Sequence, residues 1–176
     1  MANRALLLDP QCQYGLWSKA YNYFLRGDKQ QFLDFARLAI SINPADTYLT
    51  ATVGLKIAVI GEWEEGRALI AKARSLNQFL PNWFHSADCL YYLLNNAPEE
   101  ALLEAKQISS PEISGPILRT ALHGTMGEKS EAKKEQEELL RLCPTFSHNY
   151  QKIIQHMFFY EPTVSLLIKG LIKAGL

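Results

Sequence analysis

Ala39-Ile40-Ser41-Ile42-Asn43-Pro44 is the middle copy of a pattern that recurs once upstream and once downstream, at equal spacing. The upstream copy is Ala5-Leu6-Leu7-Leu8-Asp9-Pro10, and the downstream copy is Ala73-Arg74-Ser75-Leu76-Asn77-Gln78. Each has an alanine, a mostly apolar run, and then Asp or Asn followed by Pro or Gln, which is typical of a helix end and a break. The spacing, about 34 residues, is typical of stacked helix-turn-helix units. The sequence therefore predicts an all-α fold, a solenoid of helical hairpins.

Glycines and other small residues follow the same period. Gly27 and Gly61 lie one period apart, and so do Ala20 and Gly54. The first pair predicts glycine at the turn between two helices, where left-handed backbone angles are needed. The second pair predicts a small side chain in the middle of a helix, where the two helices of a hairpin approach closely.

The period divides the whole chain, predicted as one domain of residues 1–176, into repeats. Residues 1–10 are predicted to be the remnant of a preceding repeat whose first helix is missing, so the chain is expected to be part of a longer protein. The predicted repeats are 13–46, 47–80, 81–110 and 111–144, with capping helices at 145–176. A cap is expected because an array must cover its last apolar face.

Composition excludes several classes of protein. Eighteen basic residues balance eighteen acidic residues, so we expect neither direct nucleic-acid binding nor attraction to a membrane surface. Cys12, Cys89 and Cys143 are far apart and form no CxxC pair, which argues against a disulfide framework and a zinc site. The apolar run at the N-terminus is too short for a signal peptide, and we expect a cytoplasmic location.

Residues at fixed places in each period resemble the tetratricopeptide repeat (TPR), a helical hairpin with characteristic small and aromatic positions and a final proline. Matching residues are Ala20, Tyr23, Ala36, Ala39 and Pro44 in the first repeat, Gly54, Gly61, Gly66 and Ala73 in the second, Tyr92, Ala101 and Ala105 in the third, and Gly127, Ala132 and Pro144 in the fourth. Phe32 departs from the pattern, since a small residue is usual there. The resemblance implies a right-handed, TPR-like α-solenoid that binds proteins or peptides.

Two short motifs resemble a narrower group. Pro81-Asn82-Trp83-Phe84-His85 and Leu171-Ile172-Lys173-Ala174-Gly175-Leu176 are similar to segments in the C-terminal TPR region of bacterial signalling proteins that carry a class III adenylate or guanylate cyclase domain or a winged-helix DNA-binding domain. This resemblance implies a regulatory region whose output domain lies upstream.

No motif indicates catalysis. Residues 61–68 imitate a phosphate-binding loop but lack its lysine and hydroxyl, and carry three carboxylates that would repel phosphate. The four histidines have no His or Cys partner at a usual ligand spacing. We therefore expect no enzyme activity, no cofactor and no metal.

The resemblance also indicates where a partner would bind, because the first helices of TPR hairpins line the concave surface. The residues predicted to form this groove are Tyr14, Trp17, Tyr21, Phe24, Tyr48, Leu55, Trp83 and Leu90. An aromatic and aliphatic surface of this kind would bind an apolar peptide or helix. Two alternatives stay open: these residues belong to the core, or those nearest the N-terminus form the place where a preceding repeat stacks.

The sequence thus predicts a non-catalytic interaction module or regulatory scaffold that binds a peptide, a partner protein or a neighbouring domain. The alternative is a regulatory sensor in which a small molecule contacts Tyr48, Trp83 and His85. Self-association is a third expectation, since an uncovered end face can pair with a second copy as a homodimer.

Overall fold

A computed structural model describes residues 2–109 and 112–176, with side chains from Arg4 onward. Within these residues the chain forms α-helices and one short 3₁₀ turn, and contains no β-strand. The predicted all-α fold of helical hairpins is therefore confirmed. The chain divides into two compact units, residues 2–58 with 64–80, and residues 59–63 with 81–109 and 112–176.

The first unit contains two successive hairpins and a short preceding helix. Its helices are α1 (Ala2–Leu8), α2 (Gln13–Leu25), α3 (Lys29–Ile42), α4 (Thr47–Ala58) and α5 (Trp63–Leu76). The turn between α2 and α3 has Gly27 at φ +74°, followed by Asp28, whose carboxylate accepts a hydrogen bond from the backbone N–H of Gln31 at 3.2 Å. This N-cap satisfies one of the donors that a helix start leaves unpaired.

The second unit contains the remaining helices. They are α6 (His85–Leu94), preceded by a 3₁₀ turn at Asn82–Phe84, then α7 (Pro98–Gln107), α8 (Ser114–Met126), α9 (Lys129–Leu142), α10 (Phe146–Phe158) and α11 (Glu161–Ala174). Each span predicted as a repeat contains two of the helices. The predicted boundary between the third and fourth repeats, at residues 110 and 111, lies outside the described residues.

Glycines allow α4 and α5 to pack with their backbones in contact. A Cβ added to Gly54 would lie 2.7 Å from the carbonyl oxygen of Gly66, and a Cβ added to Gly66 would lie 2.5 Å from the amide nitrogen of Ala58. Both are shorter than a carbon atom tolerates, so side chains at these two positions would push the helices apart. The predicted close approach at Gly54 is thus present, with Gly66 as its counterpart.

Phe32 is the large residue at a position where the repeat pattern expects a small one. Its side chain is fully buried in the first unit. The ring centroid lies 5.4 Å from that of Phe24 and 6.5 Å from that of Trp17, so α3 meets α2 through an aromatic cluster. Aromatic pairs at this separation stabilise packing beyond the area they bury.

In the second unit, α8 is the central helix. It is buried on all sides from Ser114 to Leu118 and again from Thr120 to Gly124, and it packs against α6, α7, α9 and α11. A helix that is buried on all sides requires neighbours on all sides. The C-terminal helix α11 supplies one of them, crossing α8 where Gly124 meets Gly170, and it also contacts α6.

Residues 59–63, which follow α4 and include the first residue of α5, belong to the second unit, where two of them contact Tyr160. The ring of Tyr160 lies against Gly61, where an added Cβ would be 2.8 Å from a ring carbon. The same ring is 6.0 Å from the ring of Trp63, in an edge-to-face arrangement. Gly61 has φ +99°, which other residues adopt only with strain.

Candidate functional site

In the first unit, the first helices of the two hairpins lie side by side and are joined near their N-terminal ends. The Tyr14 hydroxyl, on α2, donates a hydrogen bond of 2.7 Å to the Asp46 carboxylate. The other carboxylate oxygen of Asp46 accepts from the backbone N–H of Leu49 at 2.9 Å and so caps α4. The hydrogen bond to Asp46 raises the pKa of Tyr14, because the carboxylate favours the protonated phenol.

Aromatic rings continue along α2 toward its C-terminal end. Trp17 and Tyr21 have ring centroids 5.7 Å apart, and the rings of Tyr21 and Phe24 are stacked, also at 5.7 Å, with 13° between their planes. The chain places these rings on one side of α2 because they recur at spacings of three and four residues.

Lys56 joins α4 to the C-terminal part of this aromatic row. Its ammonium nitrogen lies 5.0 Å from the centroid of the Phe24 ring and 5.8 Å from that of the Tyr21 ring, within the range of cation–π attraction. Burial lowers the pKa of Lys56, since a desolvated ammonium is less stable than one in water. Sequence analysis did not identify Lys56, although it is the single charged residue of α4.

We call Tyr14, Trp17, Tyr21, Tyr48 and Lys56 the α2–α4 surface. The fractional exposure is 55% for Tyr14, 37% for Tyr21 and 52% for Tyr48, and Trp17 is half-buried. These three tyrosines are large side chains that could be covered by a partner. The surface is therefore amphipathic, with rings along its length and a cation near one end.

Phe24 and Leu55 are placed differently from the prediction that they line an open surface. Both are buried, at 3% and 8% exposure. Phe24 is enclosed because it packs between Tyr21 and the core residue Phe32. These two side chains therefore support the surface from below and offer little area to a partner.

The second unit holds the other predicted groove residues. Leu90 is fully buried on α6 and is a core residue, while Trp83 is half-buried in the 3₁₀ turn with its ring centroid 3.7 Å from that of Phe84. The contacts of α11 with α6 and α8 explain why the first helices of this unit are covered. Leu90 thus packs inside the unit and does not face solvent.

The residues of the predicted small-molecule site are divided between the two units. Tyr48 belongs to the first, and Trp83 and His85 belong to the second. His85 is half-buried, and its Nδ1 lies 2.6 Å from a carboxylate oxygen of Glu104 on α7. This contact fixes the imidazole against α7.

An open depression on α10 is lined by five consecutive residues, from His148 to Lys152. All five belong to α10. Within residues 2–109 and 112–176, no group of His, Cys, Asp and Glu side chains is arranged to hold a metal ion. In the same residues no helix is both long enough and apolar enough to cross a membrane.

The short helix α1 carries a second exposed apolar area. Leu7 and Leu8 are 84% and 83% exposed, although α1 packs on α2. At this contact a Cβ added to Gly15 would lie 3.1 Å from the end of the Leu6 side chain. Leu7 and Leu8 thus form an exposed apolar area on α1.

Comparison with known proteins supports the TPR-like fold. No family model matches the chain. It is 25% identical over 158 residues to mouse "Interferon-induced protein with tetratricopeptide repeats 3", an alignment that covers 84% of this chain and 38% of that protein. The chain thus spans about two fifths of the length of this curated relative. Both the helical hairpins and this similarity indicate that the chain has a TPR-like fold.

Proposed function

We propose that this protein is a non-catalytic interaction module that binds a protein or peptide on the α2–α4 surface. The observation that carries the proposal is the exposure of Tyr14, Tyr21 and Tyr48 on two adjacent first helices, with Trp17 beside them. Tyrosine and tryptophan are enriched at protein interfaces because they combine a large apolar area with a polar tip and lose little conformational entropy. The name of the mouse relative describes tetratricopeptide repeats, a class of helical repeat proteins that present extended binding surfaces.

The length of the α2–α4 surface indicates how long a bound peptide or helix would be. At one end of the surface Tyr14 contacts Asp46, and at the other end Phe24 contacts Lys56. Phe24 follows Tyr14 by ten residues, and Lys56 follows Asp46 by ten residues. Ten residues of helix span about 15 Å. This length matches about four or five residues of an extended peptide, or about three turns of a partner helix.

The test uses peptides selected from a random library displayed on phage, with the purified whole chain as bait. Selected peptides are synthesised, and their affinities are measured by fluorescence anisotropy. We expect Tyr48→Ala to weaken binding about tenfold or more, as truncation of a central interface aromatic does, while the circular dichroism spectrum stays unchanged because Tyr48 is half exposed. Trp17→Ala should lower both affinity and stability, since Trp17 also contacts Phe32.

Leu38→Ala is the matched control, because Leu38 is 45% exposed in the same unit but lies on α3, a second helix. It should leave peptide affinity unchanged. Equal losses of affinity in Tyr48→Ala and Leu38→Ala would contradict the proposed surface. Failure to select any peptide, combined with thermal stabilisation by a metabolite, would favour the small-molecule sensor instead.

The wider context belongs to the same proposal. We propose a regulatory module of a bacterial signalling protein with an output domain upstream, on the basis of the 81–85 and 171–176 motifs. A cytoplasmic location agrees with the free thiols of Cys12, Cys89 and Cys143. A cyclase or winged-helix domain encoded in frame before Met1 would support this context, and a different domain there would contradict it.

Homodimer formation through α1 is a further part of the proposal, supported by exposed Leu7 and Leu8. Light scattering should then show a mass of two chains, and Leu7→Glu should return it to one. A single-chain mass at high protein concentration would exclude this dimer.

A further inference from the structure

We propose that the partner segment bound by the α2–α4 surface is acidic, and that one of its Asp or Glu carboxylates pairs with the Lys56 ammonium while its neighbouring apolar residues cover Tyr21 and Tyr48. This inference rests on the proposed binding function and specifies the chemistry of the partner. It is carried by the surroundings of Lys56.

The neighbours of the Lys56 ammonium are aromatic. Among the residues that the structure describes, its contacts are the rings of Phe24 and Tyr21, with no carboxylate at ion-pair distance. An ammonium group has three N–H donors, and the two rings satisfy these only weakly. A carboxylate from outside would supply both the missing acceptors and the opposite charge.

The position of Lys56 makes such a pairing effective. Burial by the first unit has already removed part of the hydration of the ammonium, as the lowered pKa of Lys56 indicates. A partner therefore displaces less water from this lysine than from a fully exposed one. The surrounding rings also lower the local dielectric constant, which strengthens attraction between opposite charges.

The opposite end of the surface has the opposite charge. Asp46 lies beside Tyr14, about 15 Å from Lys56 along α4. A carboxylate of the partner is repelled at the Asp46 end and attracted at the Lys56 end, so the charges also set the direction in which a peptide lies.

A polyanion such as RNA fits this arrangement poorly. Nucleic-acid binding draws on several phosphate contacts made by Lys or Arg, whereas this surface presents one lysine, and the whole chain is electrically neutral. A short segment with a single carboxylate among apolar residues matches one cation among rings.

The experiment uses the phage-selected peptides on the whole chain, with two lysine variants. We expect the selected sequences to share an Asp or Glu, and Lys56→Gln to weaken their binding about tenfold, the value of a hydrogen bond to a charged group. Lys19→Gln is the matched control. Lys19 is also half-buried on the first unit with its ammonium 4.2 Å from a ring, that of Phe35, outside the α2–α4 surface, and its loss should leave affinity unchanged.

A charge exchange gives the decisive result. Lys56→Glu should abolish binding of the acidic peptide. A peptide in which lysine replaces the shared acidic residue should bind the Lys56→Glu variant again. A double-mutant cycle on the two substitutions measures this coupling. Peptides that lose affinity with Tyr48→Ala but not with Lys56→Gln, and that share no acidic residue, would overturn this inference and leave the proposed function standing. Peptides insensitive to both Tyr48→Ala and Lys56→Gln would overturn both.

Discussion

Gly66→Ala tests whether α4 and α5 pack with their backbones in contact. In an isolated helix this substitution is favourable by about 1 kcal/mol, because alanine has the higher helix propensity. In this protein the new Cβ would lie 2.5 Å from the Ala58 amide nitrogen, 2.5 Å from the Gly54 carbonyl oxygen and 2.7 Å from the Ala58 Cβ. Two of these atoms are backbone and cannot move unless α4 moves.

The expected magnitude follows from these two opposing effects. Overpacking of a tight contact costs about 1–3 kcal/mol and occasionally more, and the clash with backbone atoms places Gly66→Ala at the upper end of this range. After the gain in helix propensity is subtracted, we expect a net loss of about 2 kcal/mol in the free energy of unfolding. For a chain of this size the melting temperature should fall by about 4–8 °C.

Gly15→Ala is the matched control for this substitution. Gly15 is also a buried glycine inside a helix of the first unit, but its nearest neighbour is the flexible end of Leu6, 3.1 Å from the added Cβ. Leu6 can move by a few tenths of an ångström, so this variant should be as stable as the wild type or more stable by up to about 1 kcal/mol. Urea denaturation followed by far-UV circular dichroism measures both variants. If Gly66→Ala proved as stable as Gly15→Ala, the close packing of α4 on α5 would be refuted.

Three further predictions concern other contacts. Gly170→Ala should loosen α11, because its Cβ would overlap the Ala121 carbonyl oxygen, and faster amide hydrogen exchange confined to α11 would register this. Glu65→Gln should lower the free energy of unfolding by about 0.5 kcal/mol at neutral pH, a value reduced by solvent exposure, because Glu65 accepts two hydrogen bonds from Arg37, at 2.8 and 2.6 Å. Those bonds lower the pKa of Glu65, so the stability that they contribute is present above the ordinary carboxyl range and is lost as the pH falls through the lowered pKa. Urea titrations should therefore show a smaller difference between variant and wild type near pH 3 than near pH 7. Cys89 is fully buried, and burial raises its pKa. The Cys89 thiol should therefore resist iodoacetamide until urea unfolds the chain. Detection of alkylated Cys89 in the native protein by mass spectrometry would contradict the packing of α6.

The helical hairpins could be predicted from the sequence because their signals are local. Proline and glycine at a fixed period mark helix ends and turns, and Gly27 and Gly61 do adopt left-handed angles, at φ +74° and +99°. The requirement for a small residue at Gly54 is also local, since it follows from the period alone. What the period could not show is how α11 packs, because this depends on contacts with α6 and α8, far away in the sequence.

The candidate site was predictable only in part. Helical spacing identifies apolar side chains but not which of them another helix covers, so it groups Tyr14, Tyr21 and Tyr48 with Phe24, Leu55 and Leu90. Burial separates them: the tyrosines are exposed, and the other three are packed inside. A phenol ring bears a hydroxyl that prefers contact with water or a polar partner, a difference that could have divided the two groups.

Lys56 was missed for a similar reason. A lone lysine in an apolar helix is usually taken as solvent-exposed, since a long side chain can extend its charge into water. In this protein the Lys56 side chain instead extends toward α2, and its ammonium lies near the rings of Tyr21 and Phe24. This contact depends on how α2 and α4 are placed relative to each other, which cannot be read from a single sequence.

The contact of Tyr160 with Gly61 and Trp63 has a consequence for synthesis on the ribosome. The two hairpins of the first unit join residues that are near in sequence, so each can fold soon after it leaves the exit tunnel. The link between α4 and α5 must wait until about a hundred more residues have been translated before Tyr160 can cover it. During that interval Trp63 lacks the aromatic ring that later packs against it, so the start of α5 stays more exposed until Tyr160 has been synthesised.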